Sequence, residues 1–125
     1  MLRVGFSLPA SRAMISAALE GLTAANYVLL RSKHLPPLYR SGVRYRREQP
    51  GKEDWLTADQ VLAKGYGDCE DLAAWRAAEL RLNGIPARAV IRRTGAKKFH
   101  ALVRWPDGST EDPSRMLGMG KKKRA

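Results

Sequence analysis

Three residues in the second half of the chain have the types and the order of a nucleophile, a base and an orienting acid. Cys69 is the only cysteine, His100 is one of two histidines, and Asp112 follows His100 by twelve positions. A thiol attacks a carbonyl carbon once an imidazole takes its proton, and a carboxylate can fix the tautomer of that imidazole. The sequence therefore predicts a triad of Cys69, His100 and Asp112.

Each of these residues also has an ordinary structural interpretation. A lone cysteine on a helix often only packs in the core, a histidine in a strand is often structural, and Asp112 before Pro113 is typical of a turn. His34 is the other histidine, but it lies in the connector "HLPPLYRSGV", which two prolines and a glycine interrupt. His100 is therefore the predicted base.

The hydrophobic patterns place the three residues on different elements. Apolar positions repeat at helical spacing over 11–33, where Ser11 is a plausible cap, and again from Cys69 to the "NG" stop at Asn83. "ARAVIRR" and "FHALVRW" alternate like strands, and "PDGS" forms a turn into "TEDPS". We predict an α+β domain, with Cys69 at a helix N-terminus packed on a small antiparallel sheet that carries His100 and Asp112.

The start of the Cys69 helix has two opposing electrostatic effects on the thiol. A helix N-terminus favours thiolate, and the backbone N–H of Cys69 is a candidate donor to a developing oxyanion. Gln60 and Tyr66, which precede the cysteine, are the tentative second donors. Asp68, Glu70 and Asp71 surround the thiol with negative charge, which raises its pKa unless it is compensated.

Three interpretations explain these acidic residues. They can cap the helix, with Asp68 as N-cap and Glu70 and Asp71 in the first turn. They can pair with a basic residue such as Arg44 or Arg76. They can also form a calcium site, because three carboxylates in four residues offer the oxygen ligands that calcium prefers. No cofactor is required, and calcium is the one alternative.

The charge of the chain is strongly basic. Lysine and arginine number 23 against 12 acidic residues, a formal net charge of +11, and cations cluster in 31–47, at Arg92 and Arg93 and in the final "KKKRA". Such a surface favours a polyanion or an acidic protein partner. No zinc-finger spacing or aromatic RNA-binding signature accompanies it. A single cysteine excludes a disulfide within the chain.

The N-terminal residues contain no unbroken apolar run of the kind found in signal peptides, and we expect no membrane span. This pattern leaves the location open between the cytoplasm and a phage virion.

Four ordered blocks of the sequence resemble the transglutaminase-like branch of the papain-like cysteine enzymes. They are "GDCEDLA" at 67–73, "LNGIPARAV" at 82–90, "HALV" at 100–103 and "DGSTEDPS" at 107–114. The resemblance implies that Cys69 is the acyl-accepting nucleophile, His100 its base and Asp112 the orienting residue. The "GDCED" run is similar to that of bacterial transglutaminase-like cysteine proteinases, some of which need calcium.

The resemblance also implies an organisation and an activity. Residues 1–54 form an N-terminal helix and basic connector, 55–117 the catalytic core in one compact domain with them, and 118–125 a basic tail. The expected activity is cysteine-dependent acyl transfer on a protein or peptide, with hydrolysis favoured over cross-linking. The small size and the "DPSRMLGM" ending resemble a phage-encoded member, so the alternative is a noncatalytic structural or virion-assembly protein with a basic polyanion-binding surface.

Overall fold

The computed structural model describes residues 3–5, 11–48, 54–95 and 98–120. Its elements in chain order are β1 (Arg3–Gly5), α1 (Arg12–Ser32), a 3-10 turn (Leu38–Arg40), β2 (Arg44–Tyr45), β3 (Asp54–Leu56), α2 (Ala58–Lys64), β4 (Tyr66–Gly67), α3 (Cys69–Leu82), β5 (Arg88–Gly95), β6 (Lys98–Arg104), β7 (Thr110–Glu111) and α4 (Pro113–Met116). Helices dominate the first part and the longer strands follow them, so the predicted α+β class is confirmed. Of the predicted basic tail at 118–125, residues 121–125 lie outside the described residues.

The central element is α3, which is buried on several sides. It begins at Cys69 because Asp68 caps it, and it ends where Asn83 and then Gly84, with a φ of 83°, turn the chain away. Small side chains along α3 let neighbouring elements approach it closely. The buried apolar residues of this helix are Leu72, Ala73, Ala74, Trp75, Ala77, Ala78 and Leu80.

One face of α1 packs on α3, and the opposite face is exposed. Leu19 and Leu22 are fully buried in the same cluster as the alanines of α3, whereas Met14 and Val28 are 58% and 65% exposed. With 21 residues and a mean hydropathy of 1.4 in its most apolar window, α1 has the length and composition of a membrane span. The expectation that the chain has no membrane span stays a prediction, and the packed face gives α1 a place in the domain core.

A buried amide joins α1 to α2. The Oδ1 atom of Asn26, a fully buried residue, accepts a hydrogen bond from the backbone N–H of Ala58 at 2.8 Å. That N–H belongs to the first residue of α2, and the first N–H groups of a helix have no backbone acceptor within the helix. The contact fixes α2, and with it the short path to Cys69, against the N-terminal helix.

The antiparallel sheet β5-β6-β7 positions the histidine. Arg88 pairs with Arg104 and Arg92 with His100 across β5 and β6, while Arg104 pairs with Thr110 across β6 and β7. Two smaller sheets join β1 to β3 in antiparallel fashion and β2 to β4 in parallel fashion.

The two faces of this sheet have different surroundings. Alternate residues of β5 and β6 pack in the core that contains α3, namely Ala89, Ile91, Phe99, Ala101 and Val103. Their neighbours in each strand point to the opposite face, because side chains alternate along a strand and cross-strand partners share a face. This outer face contains Arg88, Val90, Arg92, His100, Leu102 and Arg104.

Candidate active site

Cys69 is the first residue of α3, and its thiol lies against the edge of β6. Its Sγ atom accepts a hydrogen bond of 3.5 Å from the backbone N–H of Ala101, the residue that follows His100. Ala101 faces Ile91 in the ladder, yet its N–H is directed at the thiol, as in the non-hydrogen-bonded pairs of an antiparallel sheet. The sulfur is thus held beside the strand that carries the predicted base.

His100 contacts Asp112 directly. The Nε2 atom of His100 lies 2.8 Å from Oδ2 of Asp112, and their side chains are 15% and 22% exposed. The sequence placed Asp112 on the sheet; it lies one residue beyond β7, where it caps α4 by accepting from the N–H of Arg115 at 3.4 Å. With Nε2 as the donor to Asp112, the Nδ1 atom of His100 is the basic nitrogen.

A capping box surrounds the start of α3. Asp68 accepts from the N–H of Asp71, and Asp71 accepts from the N–H of Asp68 at 3.1 Å. Asp68 also accepts from the N–H of Cys69 at 2.7 Å and from that of Glu48 at 3.0 Å. The Cys69 N–H, the first predicted oxyanion donor, is therefore occupied by the cap in this arrangement.

Glu70 is the second partner of the thiol. Sγ of Cys69 donates a hydrogen bond to Oε2 of Glu70 at 3.1 Å. Burial raises the pKa of the Cys69 thiol, and the charges of Glu70 and Asp68 raise it further. Burial, together with Asp68 and Asp71, also holds the pKa of Glu70 well above its usual value. Here the burial and acidic neighbours outweigh the helix terminus, so this arrangement favours the thiol over the thiolate.

The two tentative oxyanion donors, Gln60 and Tyr66, have other contacts. Oε1 of Gln60 accepts from the N–H of Thr57 at 2.9 Å in the capping box of α2. The ring of Tyr66, which lies in β4, has the Arg46 guanidinium 4.7 Å from its centroid. Within the described part of the chain, neither residue forms a hydrogen bond with Cys69, and their role in an oxyanion hole stays a prediction.

The acidic residues predicted to bind calcium have other contacts in this structure. Asp68, Cys69 and Glu70 each bring a potential ligand atom within 4.8 Å of the others, but one of these atoms is a thiol. Both Asp71 oxygens accept from backbone groups, those of Leu56 at 2.8 Å and Asp68 at 3.1 Å. Calcium takes six to eight oxygen ligands, so a site here would need further oxygens, and calcium binding stays a prediction. Capping accounts for Asp68 and Asp71.

The proposed basic partners of these acids lie elsewhere. Nε of Arg76 pairs with Glu111 at 2.6 Å and Nη1 with Glu79 at 3.4 Å. The guanidinium of Arg44 packs against Gly118.

A network around Glu111 was missed by the sequence analysis. Besides Arg76, the carboxylate of Glu111 accepts hydrogen bonds from the Tyr39 hydroxyl and from the Trp105 indole, the latter at 3.3 Å. It joins α3 to β7 and so holds the chain just before Asp112. The sequence did contain a sign of this role for Glu111. Side chains alternate along a strand, so residues 111 and 112 are expected to point to opposite faces of the sheet.

Comparison with known proteins adds a family to this geometry. The family model of the transglutaminase-like superfamily matches residues 23–110. The match begins inside α1, well before residue 55, where the sequence analysis began the catalytic core, and it ends before Asp112. No curated protein and no solved structure gives a significant match.

This superfamily commonly carries out cysteine-dependent acyl transfer or peptide hydrolysis. The matched range contains the cysteine at a helix start and the histidine on the neighbouring strand. Because it covers well over half of the sequence, the match shows that the chain belongs to the transglutaminase-like superfamily.

Proposed function

We propose that the domain transfers the acyl group of a protein or peptide substrate through a thioester on Cys69, with hydrolysis as the usual outcome. His100 takes the thiol proton while Cys69 attacks the carbonyl carbon, and then gives that proton to the leaving amine. Water attacks the thioester and returns the thiol. Asp112 keeps the imidazole in the tautomer whose Nδ1 atom is basic.

One observation carries this proposal beyond the family. His100 contacts Asp112 at 2.8 Å, and the next residue of the same strand, Ala101, contacts the Cys69 sulfur. One strand thus contacts the proposed nucleophile one residue after the proposed base, and that base contacts the proposed orienting acid. These two contacts support a cysteine-dependent acyl transfer, which also needs the thiol to reach the imidazole.

The thiol has to change partners for this chemistry. In the described arrangement it donates to Glu70 rather than to His100. We infer that this is a resting arrangement, in which a buried and protonated thiol is protected. Rotation of the thiol away from Glu70 toward the imidazole allows a thiolate and imidazolium pair to form, and that pair is the reactive state of a cysteine and histidine couple.

Water is the acceptor we favour over an amine. The side chains of His100 and Asp112 keep 15% and 22% of their surface exposed, so solvent reaches the base that activates the acceptor. A cross-linking enzyme has to keep water away from its thioester.

The decisive experiment compares cleavage and amine incorporation on the same substrate. A protein digest is incubated with the enzyme in the presence of dansylcadaverine, and mass spectrometry counts new termini, deamidated glutamines and labelled glutamines. We expect hydrolysis products, lost in Cys69→Ser and His100→Ala but kept in His34→Gln, whose side chain lies in an exposed connector. Activity that survives in Cys69→Ser would contradict the proposal.

The Glu70 contact also favours a second candidate, a noncatalytic assembly or binding protein that keeps the fold. A thiol with a raised pKa and an acidic hydrogen-bond partner reacts slowly with electrophiles. Alkylation by iodoacetamide at pH 7 separates the two. An enzyme should show a rate that depends on His100, whereas a binding module should show a slow rate that His100→Ala leaves unchanged.

A further inference from the structure

The β5 edge of the main sheet borders a cavity of about 630 Å³ whose walls are strongly basic. Among the described residues that line it, five are arginines and none is acidic, namely Arg12, Arg88, Arg92, Arg93 and Arg104. Val90 and Leu102 form an apolar strip between them on the outer face of the sheet.

The charge of Arg88, in the wall of this cavity, is only weakly compensated. Arg88 reaches Glu20 at 3.8 Å and its side chain is 64% exposed, while Glu20 is held more closely by Arg81 at 2.6 Å. Arg92 and Arg104 are exposed. Guanidinium groups bind carboxylates through paired hydrogen bonds, so a concentration of them favours an anionic ligand.

The backbone of β5 adds a second feature that points to a peptide. In the sheet order, β5 is an edge strand, and within the described residues no strand pairs with its other side. The carbonyl of Ile91 turns away from β6 and accepts from Nη2 of Arg12 at 3.3 Å. Because N–H and C=O of one residue point to the same side of a strand, Ala89 and Ile91 both direct backbone groups into the cavity.

We propose that this edge binds an extended acidic segment of a partner protein, which pairs with the backbone of β5 and places its carboxylates on the arginines. Strand addition to an exposed edge is a general way to bind extended peptides. The backbone donors and acceptors of β5 match another polypeptide, whereas a nucleic acid would use only the arginines. The peptide is therefore the occupant that both features favour.

The register of β5 specifies the sequence of that segment. Arg88, Val90 and Arg92 are alternate residues, so the two arginines lie about 13 Å apart with an apolar residue between them. A strand paired with β5 would meet them with acidic, apolar and acidic side chains at every second position. The expected motif is Glu-x-Val-x-Glu, in which x faces the other side.

The test uses fluorescence anisotropy with the Cys69→Ser protein, so that binding is measured apart from catalysis. The probe is a labelled ten-residue peptide that contains Glu-x-Val-x-Glu. Its controls are a peptide of the same composition with adjacent glutamates, one with alternate N-methylated backbone amides, and a labelled ten-nucleotide DNA in single-stranded and duplex form. We expect saturable binding of the first peptide and at least tenfold weaker binding of both peptide controls.

Two protein variants of equal charge locate the site. Replacing Arg88, Arg92 and Arg104 by serine should weaken binding at least tenfold, whereas replacing the exposed residues Arg31, Lys33 and Arg40 by serine should change it less than twofold. Equal losses in both variants would overturn the proposal in favour of diffuse charge attraction. DNA that binds as tightly as the peptide, with the same loss in the first variant, would overturn it in favour of a nucleic-acid surface. Absence of peptide binding at low salt would overturn the proposal. The arginines would then serve to prevent other chains from pairing with the edge strand.

Discussion

The thiol of Cys69 donates a hydrogen bond to the carboxylate of Glu70, its neighbour in the sequence, across 3.1 Å. Burial raises the pKa of the Cys69 thiol, and the negative charge of Glu70 raises it further. Replacing Glu70 by Gln removes the charge and keeps a polar side chain of similar size. We expect the thiol pKa to fall and alkylation by iodoacetamide at pH 7 to become about tenfold faster, since each pKa unit multiplies the thiolate fraction by ten.

The matched control removes a carboxylate that lies far from the thiol. Asp107 is in the exposed turn after β6 and bonds to Ser109, so Asp107→Asn should leave the alkylation rate unchanged. A Glu70→Gln rate equal to that of the unmodified protein would mean that Glu70 is already neutral at pH 7.

Asp112→Asn tests the orienting residue. Asparagine is as good an N-cap as aspartate, so α4 should be preserved. The amide no longer favours the tautomer of His100 that has a proton on Nε2, and we expect the rate of peptide hydrolysis to fall by about a hundredfold or more. Steady-state kinetics measures this loss, and circular dichroism checks that the fold is unchanged. The hydrolysis rate of His34→Gln, in the exposed connector, should stay within a few-fold of that of the unmodified protein.

The raised pKa of Asp71 predicts how the stability of the fold depends on pH. Burial raises the pKa of Asp71 to about 7, whereas an unfolded aspartate titrates near 4. Between these values the folded state retains a proton that the unfolded state has lost, so this contribution to stability is complete below pH 4 and disappears as the pH rises through 7. We expect a higher melting temperature at pH 5 than at pH 8.

Asp71→Asn should flatten this part of the profile, because an amide does not titrate. It should also lower the melting temperature at pH 5, since the amide nitrogen cannot accept from a backbone N–H as the second Asp71 oxygen does. Differential scanning calorimetry from pH 4 to 8 measures both effects. An unchanged slope in the variant would assign the pH dependence to other buried acids, such as Glu70 and Glu79.

Two glycines provide a pair of opposite predictions. A Cβ at Gly67 would lie 3.1 Å from Val61, 3.2 Å from Asp71 and 3.3 Å from Leu72, next to the start of α3. We expect Gly67→Ala to destabilise the domain by about 1–3 kcal/mol through overpacking. Gly21, on the exposed side of α1, has open space at its Cβ position, so Gly21→Ala should stabilise it by about 0.5–1 kcal/mol. Urea unfolding measures the change in the free energy of unfolding for each variant. Changes of the same sign in the two variants would contradict this account.

Helix and strand positions were largely predictable, because the patterns around Cys69 and His100 are long and regular. The predicted helices at 11–33 and 69–83 correspond to Arg12–Ser32 and Cys69–Leu82. The contact of His100 with Asp112 follows from a strand, a four-residue turn and a short strand, which local sequence specifies well. Whether these residues act as a catalytic pair stays a prediction.

The electrostatic state of the thiol was not predictable to the same degree. The sequence shows acidic residues beside Cys69, but not that Asp68 would occupy the Cys69 N–H or that Glu70 would turn its side chain to the sulfur. These outcomes depend on side-chain rotamers and on burial by distant elements. The arginine-lined edge was not predictable for the same reason, since Arg12 and Arg104 are far apart in the sequence and line one cavity only in the folded domain.

The hydrogen bond between Asn26 and the N–H of Ala58 limits how this domain can be divided. A fragment that starts at residue 55 would leave that N–H without its acceptor and would uncover the core surface that Leu19 and Leu22 fill. Even a fragment that starts at residue 23, where the family match begins, would lose both leucines. Domain fusions and shortened versions of the protein should therefore retain the whole of α1, because the half of the chain that contains Cys69, His100 and Asp112 depends on this helix for its packing.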